Sequence, residues 1–307
     1  MSAHQTITVV IPTYRDGARA VAAAESVLRQ RRPQGMSLQI ILVDDGSGDE
    51  TTATLLTIDD PNVQVLALGQ NQGRSGARNA GANQARGEIV MFMDCDCLPI
   101  NDMLLISHVS ALSDGQVAST GHVTGVEIGF WGRYQRDASA RRDRQYRQGF
   151  HASGSSGNLA VRKIAFQQVG GFDIQYGHYG FEDRDLLLRL AEVGRIGWSS
   201  GVGVRHLDTL TLGGVSIKMI EAGEHTSALF AERHPTAYQT LGYAALDTRR
   251  HRWLSPIAAA MGPQLPALAR LMEPMLRCKW MPYIVSKAVV KMISAMSFSY
   301  GTTRYND

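Results

Sequence analysis

Aliphatic runs alternate with helix-like segments between Thr6 and Met93, and this alternation constrains the fold more than any other feature of the chain. Thr6–Ile11, Leu38–Val43, Val63–Leu68 and Glu88–Met93 are short runs rich in Val, Ile and Leu. Apolar on both faces, such runs suit parallel strands covered on each side. Between them, Ala18–Gln30, Asp49–Leu56 and Ser75–Arg86 have helix-forming composition. Val21, Ala24, Val27 and Leu28 share a face of the first helix, and the acidic start of the second suits a helix N-terminus. The order predicts an α/β fold, a mostly parallel central sheet flanked by helices. Pro12 is expected to stop the first strand.

Residues 115–206 mix short strands with Gly-rich turns, and Ile164–Val169 and Asp185–Val193 read as helices. From Asp208 the chain is expected to be mainly helical, broken into pieces by prolines 256, 263, 266, 274 and 282. The expected division is a catalytic domain over 1–207, with halves 1–114 and 115–207, and a helical extension over 208–307. A chain of 307 residues is long enough for both.

A net charge of +3 is too mild for a nucleic-acid partner. The basic residues are uneven, however: Arg133, Arg136, Arg141, Arg142, Arg144 and Arg147 crowd one stretch. They read as a solvated helix face diluted by Asp137 and Asp143, or as a patch for phosphates of a lipid-linked acceptor or a membrane surface. Three cysteines (Cys95, Cys97 and Cys278) make no disulfide framework and point to a reducing cytoplasm. Met1–Gln5 is polar without a signal-peptide pattern. No apolar run reaches about 18 residues, so the expectation is a soluble or peripheral protein, at most at the inner face of a membrane. Trp280–Tyr300 is apolar with Lys287 and Lys291. It reads as a packed helix or as an interfacial one anchored by Trp280, Tyr283, Phe298 and Tyr300.

Three polar clusters follow three of the predicted strands. They are Pro12-Thr13-Tyr14-Arg15, Asp44-Asp45-Gly46-Ser47 and Asp94-Cys95-Asp96. In open α/β sheets, ligands bind beyond the carboxyl ends of strands, so three clusters there converge on one site. Asp94 and Asp96 offer carboxylates two residues apart, which suit hard cations such as Mg²⁺ or Mn²⁺ and the phosphates these favour. Cys95 and Cys97 lack the partners of a zinc set. Asn71–Gly81 is Gly-rich and carries Arg78, as a phosphate-approaching loop would, or as a plain loop–helix junction. In Ser155–Ala160, Asn158 is either a sugar-hydroxyl partner or a locally bonded turn asparagine.

Taken in order, Val10–Tyr14, Val43–Ser47, Asn71–Gly81 and Asp94–Asp96 resemble the motifs of family-2 glycosyltransferases with the GT-A fold. Gly170-Gly171-Phe172-Asp173, then Phe181–Leu186 and Arg189-Leu190, resemble the acceptor-side motif of that family. They are also similar to chondroitin-type polymerases and galactosyl- and N-acetylgalactosaminyltransferases. The likeness spans residues 6–206. It implies that Pro12, Thr13, Tyr14 and Arg15 line a nucleotide pocket, with Cys95 among its residues. Asp45 would contact the base, uracil, with Asp44 beside it. Arg78 would reach nucleotide or diphosphate, and Asp94 would bind ribose or assist the metal. Asp96 would be the main metal ligand and His206, in Val204-Arg205-His206, a late one. Asp183 would be the base of an inverting transfer and Glu182 would orient hydroxyls; both also suit a plain acidic helix start. Two departures stand out. Phe181 precedes the acidic pair where many relatives have glycine, and His178-Tyr179 stand where many have tryptophan; Tyr179 reads as a sugar-stacking or a core aromatic.

The resemblance therefore implies a divalent-metal-dependent transferase. It would use a nucleotide-sugar donor and a saccharide or lipid-linked saccharide acceptor. Other readings are a retaining transferase on the same fold, a nucleotidyltransferase, and a non-catalytic carbohydrate-binding protein. Against the nucleotidyltransferase, Pro12-Thr13-Tyr14 stands where a Gly-rich loop with a basic residue would follow the first strand.

Overall fold

The computed structural model describes residues 5–113, 115–151, 153–278 and 280–305. Met1–His4, most of the polar N-terminal stretch, lie outside these. Strands β1 (Gln5–Thr13), β2 (Met36–Asp44), β3 (Val63–Ala67) and β4 (Ile89–Phe92) form a parallel set. They alternate with helices α1 (Gly17–Leu28), α2 (Thr51–Leu55) and α3 (Gly73–Asn83). Strand β5 (Cys97–Pro99) and helix α4 (Leu104–Ser113) follow, then β6 (Ala118–Gly125), α5 (Phe130–Arg147), β7 (Leu159–Arg162) and α6 (Lys163–Gln168). Helix α7 (Glu182–Val193) and strand β8 (Ile196–His206) complete the sheet region. The eight strands run in the order β3-β2-β1-β4-β7-β6-β8-β5. The pairs β4–β7, β6–β7 and β5–β8 are antiparallel, and β6–β8 is parallel.

Period-two alternation along β1 builds a core on each side of the sheet. Ile7, Val9 and Ile11 point into one, with Ala20, Ala23, Ala24 and Val27 of α1 and Leu104 and Leu105 of α4. Val10 points into the other, with Ala77 and Ala82 of α3, Phe166 of α6 and Leu186, Leu187 and Leu190 of α7. These are the buried faces expected of a sheet covered by helices.

Pro12 does not end β1, which continues to Thr13. The reason lies in the pairing. β4 meets β1 only from Ile7 to Val10, whereas β2 follows it to Thr13. Pro12 therefore sits where the strand is paired on one side, and its missing N–H costs no ladder bond on the other. The arginine-rich stretch lies in α5, and Arg133, Arg136, Arg141, Arg144 and Arg147 are exposed there.

By contact the chain divides into two units. One holds residues 1–126, 135–175 and 186–208, the other residues 127–134, 176–185 and 209–307. The second is helical. Its helices are α8 (Leu212–Glu221), α9 (Ser227–Arg233), α10 (Pro235–Thr240), α11 (Ser255–Met261), α12 (Leu265–Leu276) and α13 (Tyr283–Thr303), with a π-helical turn at Ala222–Thr226. Trp131, Leu212, Leu265, Ala269, Leu276, Val290 and Ile293 form a core there. Prolines mark the breaks between these helices, as expected: Pro263 lies in the turn between α11 and α12 and Pro282 caps α13. Pro256 and Pro266 sit in first turns, where a missing N–H is harmless, and Pro274 lies inside the last turn of α12. Among the described residues no helix is long and apolar enough to cross a membrane. Cys95, Cys97 and Cys278 are unbridged.

Candidate active site and metal centre

The loops after β1, β2 and β4 lock together at the strand ends. Asp45 N–H donates to Thr13 O at 2.9 Å, and Arg15 N–H donates to Ser47 Oγ at 2.8 Å. Arg15 holds φ +55°, a left-handed conformation that non-glycine residues seldom adopt. Pro12 and Thr13 close β1, and Thr13 Oγ1 donates to Asp16 O at 3.0 Å. Tyr14 stays exposed, with Arg15 over its ring at 5.0 Å.

Asp44 and Asp45 have separate work. Asp44 is buried and turned inward, accepting from Ser47 N–H at 3.1 Å and from the hydroxyls of Ser47 and Thr52. It braces the turn. Asp45 accepts from Gln72 N–H at 2.8 Å, tying the second loop to the start of α3. Burial raises its carboxyl above the usual range, although Gln72 and Gly73 N–H groups pull against it. Gly46, which follows Asp45, has φ +68°, and a Cβ there would meet the Gln70 carbonyl carbon at 2.4 Å. Only glycine fits.

From β4 the chain delivers Asp94, Cys95 and Asp96. Arg78, buried on α3, donates to Asp94 Oδ1 at 2.6 Å and lies 5.2 Å from the Phe172 ring. Burial pushes the Asp94 carboxyl up, but Arg78, with Arg74 and His206, carries it below the ordinary value. The Ser155–Asn158 turn backs onto the same carboxylate. A Cβ on Gly157 would meet Asp94 Oδ2 at 2.9 Å.

His206 reaches Asp96 through sheet register. Strand β5 lies antiparallel to β8 with Cys97 opposite His206, and Leu207 N–H donates to Asp96 O at 2.7 Å. His206 Nε2 then stands 3.2 Å from Asp96 Oδ2. Asp208, which the sequence reading missed, joins them. Its N–H donates to His206 Nδ1 at 3.2 Å, and its carboxylate pairs with Arg19 at 2.6 Å. The signal for it was slight: Asp208 follows His206 by two residues, the spacing that separates Asp94 from Asp96.

Two overlapping groups bring ligand atoms within 4.8 Å of one another: Asp94, Asp96 and Cys97, and Asp96, His206 and Asp208. Burial raises the Asp96 carboxyl; His206 pulls it down, and Asp94 and Asp208 push it up again, leaving it above the usual range. Carboxylates crowded in this way, with an imidazole at their edge, are the oxygen and nitrogen donors that Mn²⁺ or Mg²⁺ takes. The thiols are a different matter. Burial, then Asp96, pushes Cys95 up to about 12, and burial also carries Cys97 well above the ordinary thiol value. Both stay protonated at neutral pH, and Cys97 leans on Asp96 Oδ1 at 3.7 Å.

The Asn158 side chain is bonded across the fold and not within its own turn. Its Oδ1 meets His108 Nε2 at 2.7 Å and its Nδ2 donates to His122 O at 3.0 Å, inside the fold. Asn79 is a second residue the sequence reading passed over. It exchanges hydrogen bonds with the Phe172 backbone, accepting at 2.9 Å and donating at 2.7 Å. The Gly170–Asp173 motif is thereby pinned to α3.

The acidic pair belongs to the helical unit. Glu182 and Asp183 open α7, and Glu182 Oε2 accepts from Gly180 N–H at 3.1 Å. Phe181 before them holds φ +71° and stacks on Phe230 at 4.6 Å. Tyr179 N–H donates to Glu221 at 3.0 Å, and Lys218 lies 5.2 Å from the Tyr179 ring. His178 stacks on His225 at 4.0 Å.

Residues 8–170, more than half of the chain, match the family described as Glycosyl transferase family 2. The chain belongs to glycosyl transferase family 2. Among curated relatives, the succinoglycan biosynthesis protein ExoO of Rhizobium meliloti is 40% identical over 90 residues, 29% of this chain and 25% of that protein. An undecaprenyl-phosphate 4-deoxy-4-formamido-L-arabinose transferase of Proteus mirabilis is 33% identical over 93 residues, 29% of this chain and 28% of its own. The matched stretch therefore spans only about a quarter of these relatives' length. In structure, the chain is similar to the mannosyltransferase PcManGT of Pyrobaculum calidifontis in complex with GDP-Man and Mn²⁺. The TM-score is 0.62 at 20% identity, over 97% of this chain and 88% of that one. At that identity the likeness establishes the fold. It is a GT-A-like mixed sheet flanked by helices, with a helical C-terminal extension.

Proposed function

We propose that this family-2 glycosyltransferase moves a sugar from a nucleotide-diphosphate donor, a UDP-sugar, to a hydroxyl of a saccharide or lipid-linked saccharide. The transfer is metal-dependent and inverts the anomeric centre. The observation that carries the reading is the cluster of Asp94, Asp96, His206 and Asp208 at the strand ends, beside the buried Arg78. Asp96 and His206, with Asp94, would hold a divalent cation. When bound, that cation supplies charge neutralisation for a departing diphosphate.

The remaining roles fall to the chain itself. Pro12, Thr13, Tyr14 and Arg15 line the nucleotide pocket, and Asp45 contacts the base while Asp44 keeps its loop in place. Arg78 offsets the negative field around Asp94. Asp183 takes the acceptor hydroxyl proton as that oxygen attacks, the task of a positioned carboxylate, and Glu182 orients hydroxyls. In this reading residues 1–114 serve the nucleotide and residues 115–207 the sugars. The acceptor-side motif is of the kind seen in chondroitin-type polymerases and galactosyltransferases. The name of the Proteus mirabilis relative supports a lipid-linked acceptor, and with it peripheral contact with a membrane. The manganese complex of the Pyrobaculum calidifontis enzyme supports the metal, and its GDP-Man keeps guanine as the competing base.

The test is donor hydrolysis with a panel of UDP-, GDP- and dTDP-sugars plus Mn²⁺, on wild type and Asp96→Ala. Release of UDP from one donor, lost in the variant, is the expected result. Turnover of a GDP-sugar would change the base and leave the class intact. Absence of both turnover and metal-dependent nucleotide binding would sink the catalytic reading.

A further inference from the structure

Two helices of the second unit turn apolar side chains toward water. α11 reads Ser-Pro-Ile-Ala-Ala-Ala-Met and buries none of its residues. α12 buries Leu265, Ala269 and Leu276 and leaves Leu268, Leu271 and Pro274 exposed. Its one carboxylate faces inward, since Glu273 accepts from Trp131 Nε1 at 2.8 Å and from Leu212 N–H at 2.6 Å. Apolar side chains thus stand on both faces of α12, where an ordinary surface helix keeps them on one. Trp253 is 69% exposed, Ile257 54% and Leu271 78%. Exposed apolar side chains gathered on successive helices in this way suit an interaction site.

Charge says what the partner is. From Arg249 to Tyr305 the sequence holds nine Lys and Arg residues against a single acid, the inward-facing Glu273. Arg250, Arg252, Arg270 and Arg277 are exposed around the apolar run. Arg277 is already held by Glu273 at 3.0 Å and Glu127 at 3.6 Å, so a second copy seated here would set Arg250, Arg252 and Arg270 against their own counterparts with no further carboxylate of this segment to pair them, and like-charge juxtaposition is costly. An anionic lipid surface satisfies both properties, since it takes apolar side chains below the headgroups and cations among them. α13, which the sequence leaves open between a packed and an interfacial helix, spends Val290, Ile293 and Phe298 in the interior.

We propose that the α11–α12 run docks on an anionic phospholipid surface. Trp253, Ile257, Met261, Leu268 and Leu271 enter the headgroup–acyl boundary, and Arg252 and Arg270 meet lipid phosphates. The protein lies on the membrane and does not span it. This deepens the membrane contact of the reading above and is independent of the transfer chemistry.

The experiment is flotation of the full chain with phosphatidylglycerol vesicles and, separately, phosphatidylcholine vesicles, at low and high salt. Wild type binds the anionic vesicles and is released by salt. The pair Arg252→Gln, Arg270→Gln weakens binding about 25-fold, roughly fivefold for each charge. The pair Ile257→Gln, Leu271→Gln weakens it at least about tenfold. All four side chains are exposed, so thermal midpoints and vesicle-free donor hydrolysis stay at wild-type values. Failure of wild type to float with phosphatidylglycerol, or equal flotation of the apolar pair variant, overturns the proposal. So does a concentration-dependent dimer abolished by Ile257→Gln, Leu271→Gln, which would give the surface to a second copy. Donor hydrolysis without vesicles reads the catalytic proposal separately.

Discussion

His206 Nε2 stands 3.2 Å from Asp96 Oδ2 because the pairing of β5 with β8 sets Cys97 opposite His206. Two residues far apart in sequence are thereby held without a loop between them, as a rigid site requires. If they ligate one cation, Asp96→Ala and His206→Ala lose the same property. Loss of an outer-shell partner alone costs about 10–100-fold in metal affinity, and a ligand costs at least as much. We expect Mn²⁺ binding, read by calorimetry, to weaken at least about 100-fold in either variant, with an unchanged circular dichroism spectrum. Retention of Mn²⁺ affinity in Asp96→Ala would place the ion elsewhere.

Arg78 and Asp94 pair at 2.6 Å, and the Arg78 side chain is almost fully buried. Removing one member of a buried pair leaves the other charge uncompensated, which typically costs about 3–5 kcal/mol. Asp94, the carboxylate left behind, is itself 32% exposed, so Arg78→Met should destabilise the protein by less than that, about 1–3 kcal/mol in urea. The double variant Arg78→Met, Asp94→Asn should recover part of it, since no lone carboxylate remains. A single variant as stable as wild type would mean that water or a neighbouring cation already carries Asp94.

His108 sits wholly buried between Ser119 Oγ at 3.1 Å and Asn158 Oδ1 at 2.7 Å. Asn158 Nδ2 is committed to His122 O, so its Oδ1 accepts. His108 Nε2 thus carries the proton, and Nδ1 accepts from Ser119. Burial lowers the imidazole to about 4, with the Asn158 bond pulling the other way. The unfolded chain titrates near 6.5, so between about pH 4 and 6.5 it binds a proton that the folded chain refuses. Stability is full above that window and falls as pH drops through it, by a few kcal/mol at most. His108→Gln keeps a donor for Asn158 without titrating. Its urea midpoint should change less between pH 7 and 4.5 than the wild-type midpoint does.

The parallel strands were legible because a strand buried on both faces is a continuous aliphatic run, as in Ile40–Val43. The loops after β1, β2 and β4 were legible for the same reason, since strand ends locate them. β5 was not. It is three residues long and ends in Pro99, so neither length nor propensity marks it, and it exists because β8 lies beside it. Asp208 was hidden with β5, because its neighbourhood is set by that pairing. Asp44 was legible as a strand-end carboxylate but not as an inward brace. Nothing in the pair Asp44-Asp45 says which carboxylate faces Ser47 and Thr52. Asn158 shows the same limit, for its partner His108 comes from a helix that no motif announced.

Phe181 is the departure from family pattern that the structure explains most fully. It holds φ +71°, a left-handed conformation that costs a side-chain-bearing residue about 1–2 kcal/mol. It is nevertheless buried, stacked on Phe230 at 4.6 Å and edge-on to Tyr243 at 4.9 Å. Truncating a buried phenylalanine costs about 3–5 kcal/mol, more than the backbone strain relieved. Phe181→Gly should therefore destabilise by roughly 2 kcal/mol, although glycine is the residue the backbone prefers. Phe181→Ala removes nearly the same ring contacts but keeps the strain. It should be less stable than Phe181→Gly by about 1 kcal/mol, the reverse of the usual order of these two residues. Denaturant midpoints of the three proteins decide the matter. Alanine at or above glycine in stability would show that the turn before Glu182 relaxes out of the left-handed region once the ring is gone.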